Sequence, residues 1–227
     1  MDRETFENEY VKDTKKPLGV GMEKDVYEQK DRIDGVVKVE RKAESPRKVR
    51  ARFYLLKILH MLYPKNIPDI HFSFTEPNAT GRDKVELDED HNRMRDLIKN
   101  NAAPSENRPF GGEPDTEQFN EASRRMWGKL NDAKFPSYVF HLGVGVEMTA
   151  KNFGLDGDGN FVYVDDFPVW GNNEEGGISP IFNEERIRES IGKLSGEKQK
   201  QAVCYLERLL VIYKEESDFL KKSRKAK

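Results

Sequence analysis

Two strand-like runs, Val36-Val37-Lys38-Val39 and Ile70-His71-Phe72-Ser73-Phe74, are separated by one helical segment whose ends are both written into the chain. Ser45-Pro46 supplies an N-cap followed by proline at the first helical position. Apolar residues then recur at Val49, Phe53, Leu56, Leu59 and Leu62, with Leu55 and Ile58 widening the stripe, so one helical face is apolar. Tyr63-Pro64 stops the helix, because a residue before proline is pushed out of the α region. Strand, helix and strand in succession make the expected fold class α+β.

The segment from Pro17 to Phe74 reads as strand, turn, strand, helix, strand, with Asp34-Gly35 as a hairpin-type turn before Val36. Residues 75–114 change character. Glu76-Pro77-Asn78-Ala79-Thr80-Gly81 and Pro104 to Gly112 are turn-rich and poor in core residues, with one short helix near Asn92–Lys99, so the stretch reads as a connector or insertion. Asp115 caps the next helix, which runs to about Lys134 and offers Phe119, Met126 and Leu130 to a core. Phe161-Val162-Tyr163-Val164 is a strand preceded by the turn Asp156-Gly157-Asp158-Gly159-Asn160. Beyond Pro180 the pattern is helical, broken near Ser195-Gly196, and the last helix carries Val203, Leu206, Leu209, Leu210 and Tyr213. The expected organisation is an extension (1–16), an N-terminal unit (17–74), a linker (75–114), a C-terminal unit (115–216) and a frayed basic tail (217–227).

Composition narrows the function classes. The 227 residues include 39 Lys+Arg against 41 Asp+Glu, a formal charge of −2, which argues against a duplex-binding protein and its concentrated cationic surface. Thirteen Phe, eight Tyr and two Trp supply core material and exclude a wholly disordered chain. The acidic start lacks a secretory h-region, and no apolar window reaches bilayer length, so a soluble cytoplasmic protein without a membrane partner is expected. The single cysteine, Cys204, sits in the apolar run Val203-Cys204-Tyr205-Leu206 and is expected to be buried and inert. His60, His71, His91 and His141 show no zinc or triad spacing. The Asp156–Asn160 segment opens like a calcium loop, but Phe161 and Phe167 stand where Gly and Glu are needed, leaving a hairpin turn.

Chemistry is concentrated in three places. Gly19-Val20-Gly21-Met22-Glu23-Lys24-Asp25-Val26 matches most of G-x-G-x-x-G-x-V, with Lys24 in place of the third glycine. Glycine lets backbone N–H groups approach phosphate with no Cβ in the way. Lys38 follows Gly19 by 19 residues, and strand alternation turns it away from Val37 and Val39, to solvent or into a cleft where a cation could neutralise phosphate. Asn152 and Asp165 flank the Asp156–Asn160 hairpin, 13 residues apart, and can converge on Mg2+, which prefers oxygen ligands.

Together these stretches resemble the protein-kinase-like superfamily, including its small bacterial and aminoglycoside-kinase-like members, over about residues 17–215. The resemblance implies a two-lobed fold, with a small β-rich N-lobe and a reduced helical C-lobe, and ATP in the crevice. Gly19, Gly21 and Val26 would line the nucleotide, Lys38 would contact its phosphates, and Asn152 and Asp165 would hold magnesium. Glu147 occupies the catalytic-base position, five residues before Asn152, where the family has Asp. The chain departs further: the helix from Ser45 to Tyr63 has no acidic residue to pair with Lys38, Asp165-Asp166-Phe167-Pro168 is not D-F-G, and no A-P-E follows. Glu28, Glu40 and Glu44 are the candidate substitutes for the missing helix acid, and Arg50 and Arg52 are candidate inward positions. The expected function is an atypical Mg·ATP-dependent phosphotransferase acting on a hydroxyl acceptor. The alternatives are a pseudokinase-like module that binds nucleotide or a protein partner, and an α+β domain with no nucleotide site.

Overall fold

The structure is a computed structural model and describes residues 1–20, 24–101, 117–132, 141–144, 152–172 and 178–225. Gly21, the Asp115 cap, Glu147 and the side chain of Leu130 lie outside the described residues.

The fold is α+β. Strands β1 (Gly19–Val20), β2 (Lys24–Glu28), β3 (Gly35–Glu40), β4 (Ile70–Thr75) and β5 (Asn78–Asp83) form an antiparallel sheet in the order β1-β2-β3-β5-β4. Helix α1 (Arg3–Tyr10) precedes the sheet, and α2 (Pro46–Leu62) connects β3 to β4. The ends of α2 form as their residues dictate: the Ser45 hydroxyl accepts from the Lys48 N–H at 3.2 Å, and the Tyr63 N–H donates to the Leu59 carbonyl at 2.8 Å. Helices α3 (Glu89–Asn101) and α4 (Glu117–Asp132) follow, then the hairpins β6 (Phe153–Leu155) with β7 (Phe161–Tyr163) and β8 (Trp170–Asn172) with β9 (Ile178–Pro180). Helices α5 (Glu184–Gly192) and α6 (Gly196–Lys225) complete the described chain. Among the described residues, no helix is long and apolar enough to cross a membrane.

The sheet has two chemically different faces. Tyr27, Val37, Val39 and Ala79 point to one side and pack with Phe6 and Val11, while Tyr10, Phe72 and Phe74 close the cluster at its rim. Helix α1 covers this face; Phe6 is fully buried, with ring centroids 5.0 Å from Tyr10 and 5.4 Å from Phe74. The opposite face carries Lys24, Val26, Lys38, Glu40, Thr80 and Arg82, as cross-strand pairing requires.

Residues 76–81 correct the sequence expectation. Their turn-like composition hides β5, which is buried along Asn78–Arg82 and lies between β3 and β4. Ala79 and Gly81 serve one face, Thr80 and Arg82 the other, so the alternation is genuine although the residue types are poor strand formers. β4 also departs from simple alternation. A register shift between Ile70 and Phe72 puts Ile70 opposite Arg82 but Phe72 and Phe74 opposite Gly81 and Ala79. This irregularity sends Ile70 to one core and both phenylalanines to the other.

The larger core lies beyond the sheet and is shared by most of the chain. Leu55, Leu56, Ile58 and Leu59 of α2 pack in one cluster with Phe119 and Met126 of α4, Phe153, Phe161 and Tyr163 of the β6–β7 hairpin, and Ile187, Leu206 and Leu209 of α5 and α6. α2 therefore belongs to the same core as the C-terminal helices. The face of α6 differs from the expected one. Ala202, Leu206, Leu209 and Ile212 are buried, Val203 is 41% exposed, and Cys204 is exposed rather than buried. At about 100° per residue, position 204 points about 160° away from both 202 and 206. The basic tail is helical as far as Lys225 rather than frayed.

Gly81 is required by packing. A Cβ there would lie 2.2 Å from Cε1 of the Phe72 ring, which cannot yield without disturbing the aromatic cluster. Gly81→Ala should destabilise the protein by about 1–3 kcal/mol in chemical denaturation, and Phe72→Leu in the same chain should recover part of the loss.

Candidate functional site

Strand pairing alone assembles the first part of the site. Gly19 of β1 pairs with Val26 of β2, Val26 pairs with Lys38 of β3, and Lys38 pairs with Thr80 of β5. These residues form one row across the polar face of the sheet, bringing Gly19, Val26 and Lys38 together. Packing does not demand glycine at position 19: a Cβ there would meet only the Val26 Cβ, at 3.9 Å.

The second part arrives on the β6–β7 hairpin. Its turn is held by Asp156, whose carboxylate accepts from the backbone N–H of Asp158 (3.0 Å) and of Asn160 (2.8 Å) and from the Asn160 amide. Gly159 takes the left-handed conformation the turn needs, at φ 77°. These bonds occupy Asp156 within the turn, consistent with the hairpin expected there. Each edge of the hairpin is then fastened. Asn66, just beyond α2, donates from its amide to the Phe161 carbonyl (2.6 Å) and accepts from the Tyr163 N–H (2.9 Å). On the other strand, the Asp88 N–H donates to the Leu155 carbonyl (2.9 Å), and His91 Nδ1 is hydrogen-bonded to the Phe153 carbonyl (3.0 Å). Gly154 lets Leu87 close in, since a Cβ there would sit 3.2 Å from that side chain. Asn152, which is buried, accepts from the Val164 N–H at 2.8 Å, so its backbone sits beside the residue preceding Asp165.

The sheet and the hairpin end meet in a buried ion network. Lys38 is buried, not turned to water, and its amine donates to the Val164 carbonyl at 2.5 Å. Lys24 Nζ lies 2.7 Å from Asp165 and 2.9 Å from Asp166. Arg82, 2% exposed, pairs with the Asp166 carboxylate and also donates to the Asp165 carbonyl at 3.3 Å. Arg52 of α2 reaches Asp166 at 3.8 Å and holds Glu44 at 2.7 Å, with Glu40 at 3.8 Å.

None of the acids proposed to replace the missing helix glutamate pairs with Lys38. Glu40 and Glu44 serve Arg52, and Glu28 serves Lys12 and Lys84. Of the two inward candidates on α2, Arg52 is buried, whereas Arg50 is exposed and bonds the Pro46 carbonyl. Arg82 carries no local signal in the sequence, because the residues before it have turn-like composition although they form β5. Lys24 stands out in the sequence only as the residue at the motif's third-glycine position.

Proton affinities follow from this packing. Burial, reinforced by the Arg82 charge, pushes the Lys38 amine down to about 7, against the opposing pull of Asp166 and Asp165. Burial also penalises the Lys24 ammonium, but Asp166 and Asp165 outweigh it and hold its pKa above the ordinary lysine value. Burial would raise the Asp166 carboxyl, yet Arg82, Lys24, Lys38 and Arg52 keep it well below the usual carboxylate range. The same opposition leaves Asp165 lowered, chiefly by Lys24, and Glu44 lowered to about 2, chiefly by Arg52. Glu40 is raised, mainly by burial.

Chemically, the row offers glycine clearance and a buried amine, and the hairpin end offers carboxylate oxygens paired with Lys24, Arg82 and Arg52. Among the described residues, no group of three or more His, Cys, Asp or Glu side chains is arranged to hold a metal ion. The chain matches no known family model and no curated protein.

Two outcomes follow. The folded protein binds fewer protons at Lys38 than the unfolded chain between about pH 7 and the ordinary lysine value of 10.5, so this residue makes stability rise with pH across that window. Lys38→Met should remove that slope and raise the melting temperature below pH 7, in denaturation series run side by side with the wild type. Arg82→Met leaves Asp166 short of its main partner and should cost about 3–5 kcal/mol, whereas Arg125→Met, at an exposed ion pair, should change stability little.

Proposed function

We propose that the chain is a kinase-like protein using Mg·ATP, a phosphotransferase of atypical type whose acceptor is a hydroxyl compound. The observation that carries this reading is the row Gly19–Val26–Lys38 on the sheet face to which the hairpin delivers Asp165. The order of elements also supports a small β-rich lobe preceding helical structure: glycine-bearing hairpin, lysine strand, crossing helix, then an Asn–hairpin–Asp unit. Against a strict division into two lobes stands the core that α2 shares with α5 and α6.

The residue types present are ones these cofactors take as ligands. Asp165 and Asn152 are oxygen donors of the kind magnesium prefers, with Asn152 tied to Val164 through the backbone. Gly19 leaves room for a phosphate to approach the β1–β2 hairpin. When bound, Mg·ATP supplies the phosphoryl group and spreads its charge over the metal. Lys38 neutralises phosphate oxygens and takes up a proton as an anion nears its amine. Glu147, assigned by the resemblance alone, accepts the proton of the acceptor hydroxyl. Positioning and charge neutralisation, rather than covalent chemistry, carry the rate.

A second reading, a nucleotide-binding pseudokinase-like module, draws on two observations. α2 presents Arg52 where the family has an acid, and Lys24 engages both hairpin aspartates.

Mg·ATP at saturating concentration should raise the melting temperature of the wild type, and Lys38→Met should lose most of that rise. ATP turnover that disappears in Asp165→Asn and in Glu147→Gln establishes the phosphotransferase. Binding without turnover across hydroxyl acceptors leaves the pseudokinase, and an unchanged melting temperature sinks both.

A further inference from the structure

The two hairpin aspartates are held in different ways. Asp166 is 9% exposed and faces Arg82, Lys24 and Arg52, so it keeps Arg82 and Arg52 if Lys24 moves away. Asp165 is 22% exposed, and among the described residues its side chain has one ion-pair partner, Lys24. Lys24 is itself 18% exposed and opens β2, directly after residues 21–23, where the family's motif has its third glycine. Of the three cations paired with the hairpin aspartates it is the most exposed, against 8% for Arg52 and 2% for Arg82. Arg52 and Arg82 project from the interior of α2 and β5 and are more deeply buried.

We propose that Lys24 is an exchangeable counter-cation: it pairs with Asp165 in the protein alone and gives that carboxylate up to a divalent metal arriving with nucleotide. This rests on the kinase-like reading of the site. Three consequences follow from the geometry. A bare divalent cation must compete with an ammonium 2.7 Å from the Asp165 oxygen, so metal alone binds weakly. A metal that brings phosphate gives the displaced ammonium a new anion to face, so metal and nucleotide bind together more strongly than either alone. Asp166, anchored by Arg82, stays in place throughout and keeps the hairpin end docked.

The test measures Mn2+ binding to the full chain without nucleotide, by calorimetry and by the electron paramagnetic resonance of free Mn2+. Lys24→Met should bind Mn2+ about tenfold or more tighter than wild type, because a unit charge beside the ligand has gone. Lys24→Arg, which keeps the charge, should behave as wild type. Adding Asp165→Asn to Lys24→Met should abolish the gain. Equal Mn2+ affinity in Lys24→Met and wild type, or a gain that survives Asp165→Asn, overturns the proposal. If Lys24→Met does not fold by circular dichroism, Lys24→Gln takes its place. If neither folds, the Nζ resonance of Lys24 in 15N-lysine wild type decides, assigned by its loss in Lys24→Arg: it should move as Mg·ADP saturates the site, and an unmoved resonance rejects the exchange. Mg·ADP affinity of the wild type is read separately. Its absence alone defeats the kinase-like reading, whereas wild-type Mg·ADP binding with no Mn2+ gain in Lys24→Met defeats only the role of Lys24.

Discussion

The pairing of Arg82 with Asp166 is the joint on which the site depends. One partner comes from the middle of a sheet and the other from the end of a hairpin 84 residues later, and both are almost wholly withdrawn from water. Removing two such charges from solvent is expensive, and their attraction repays the cost only when geometry and further hydrogen bonds are right. Lys24 and Arg52 supply the remaining contacts to Asp166, and the Asp165 carbonyl accepts from Arg82. What the network contributes is therefore specificity of docking. A hairpin displaced by one residue would present Val164 with Asp165, or Asp166 with Phe167, and halve the negative charge facing the buried cations.

Hydrophobic burial prepares that joint without determining it. The outer face of the sheet is closed by α1 through an aromatic cluster, which leaves the inner face available for polar groups. The inner side is supported by the large core in which α2, the β6–β7 hairpin and the C-terminal helices pack together. The irregularity in β4 reconciles the two, since a regular strand would send Ile70, Phe72 and Phe74 to the same side. Gly81 completes the arrangement by letting the Phe72 ring lie against the strand backbone.

A polar network packed between two apolar clusters also explains how titration is distributed. Lys38 donates to a carbonyl rather than to a carboxylate, so burial governs its proton affinity, and the neighbouring Arg82 adds to the effect. Lys24 touches two carboxylates directly and is driven the other way. Two lysines on one sheet face thus differ in proton affinity because of where each amine ends. An amine that is readily neutral and lies against the hairpin end is suited to meet an incoming anion, and an amine already paired is suited to be displaced.

The sequence by itself determined the elements whose signals are local. The Ser45-Pro46 start and Tyr63-Pro64 stop of α2, the β-branched strand around Lys38, the Asp156–Asn160 turn and the break before Gly196 all depend on neighbours in the chain. The 19-residue spacing also placed Lys38 near the Gly19 turn, and in the structure Val26 stands between them, paired to both. Tertiary structure decided the rest. β5 is a strand because β3 and β4 hydrogen-bond to it on both sides, overriding residues that prefer turns. Cys204 is exposed because the rotation of α6 is set by its partners across the core, not by the local run of apolar residues. The cations that meet Asp165 and Asp166 come from strands and a helix more than eighty residues away in sequence, so their choice of partner is a matter of which charges burial leaves with no water to face.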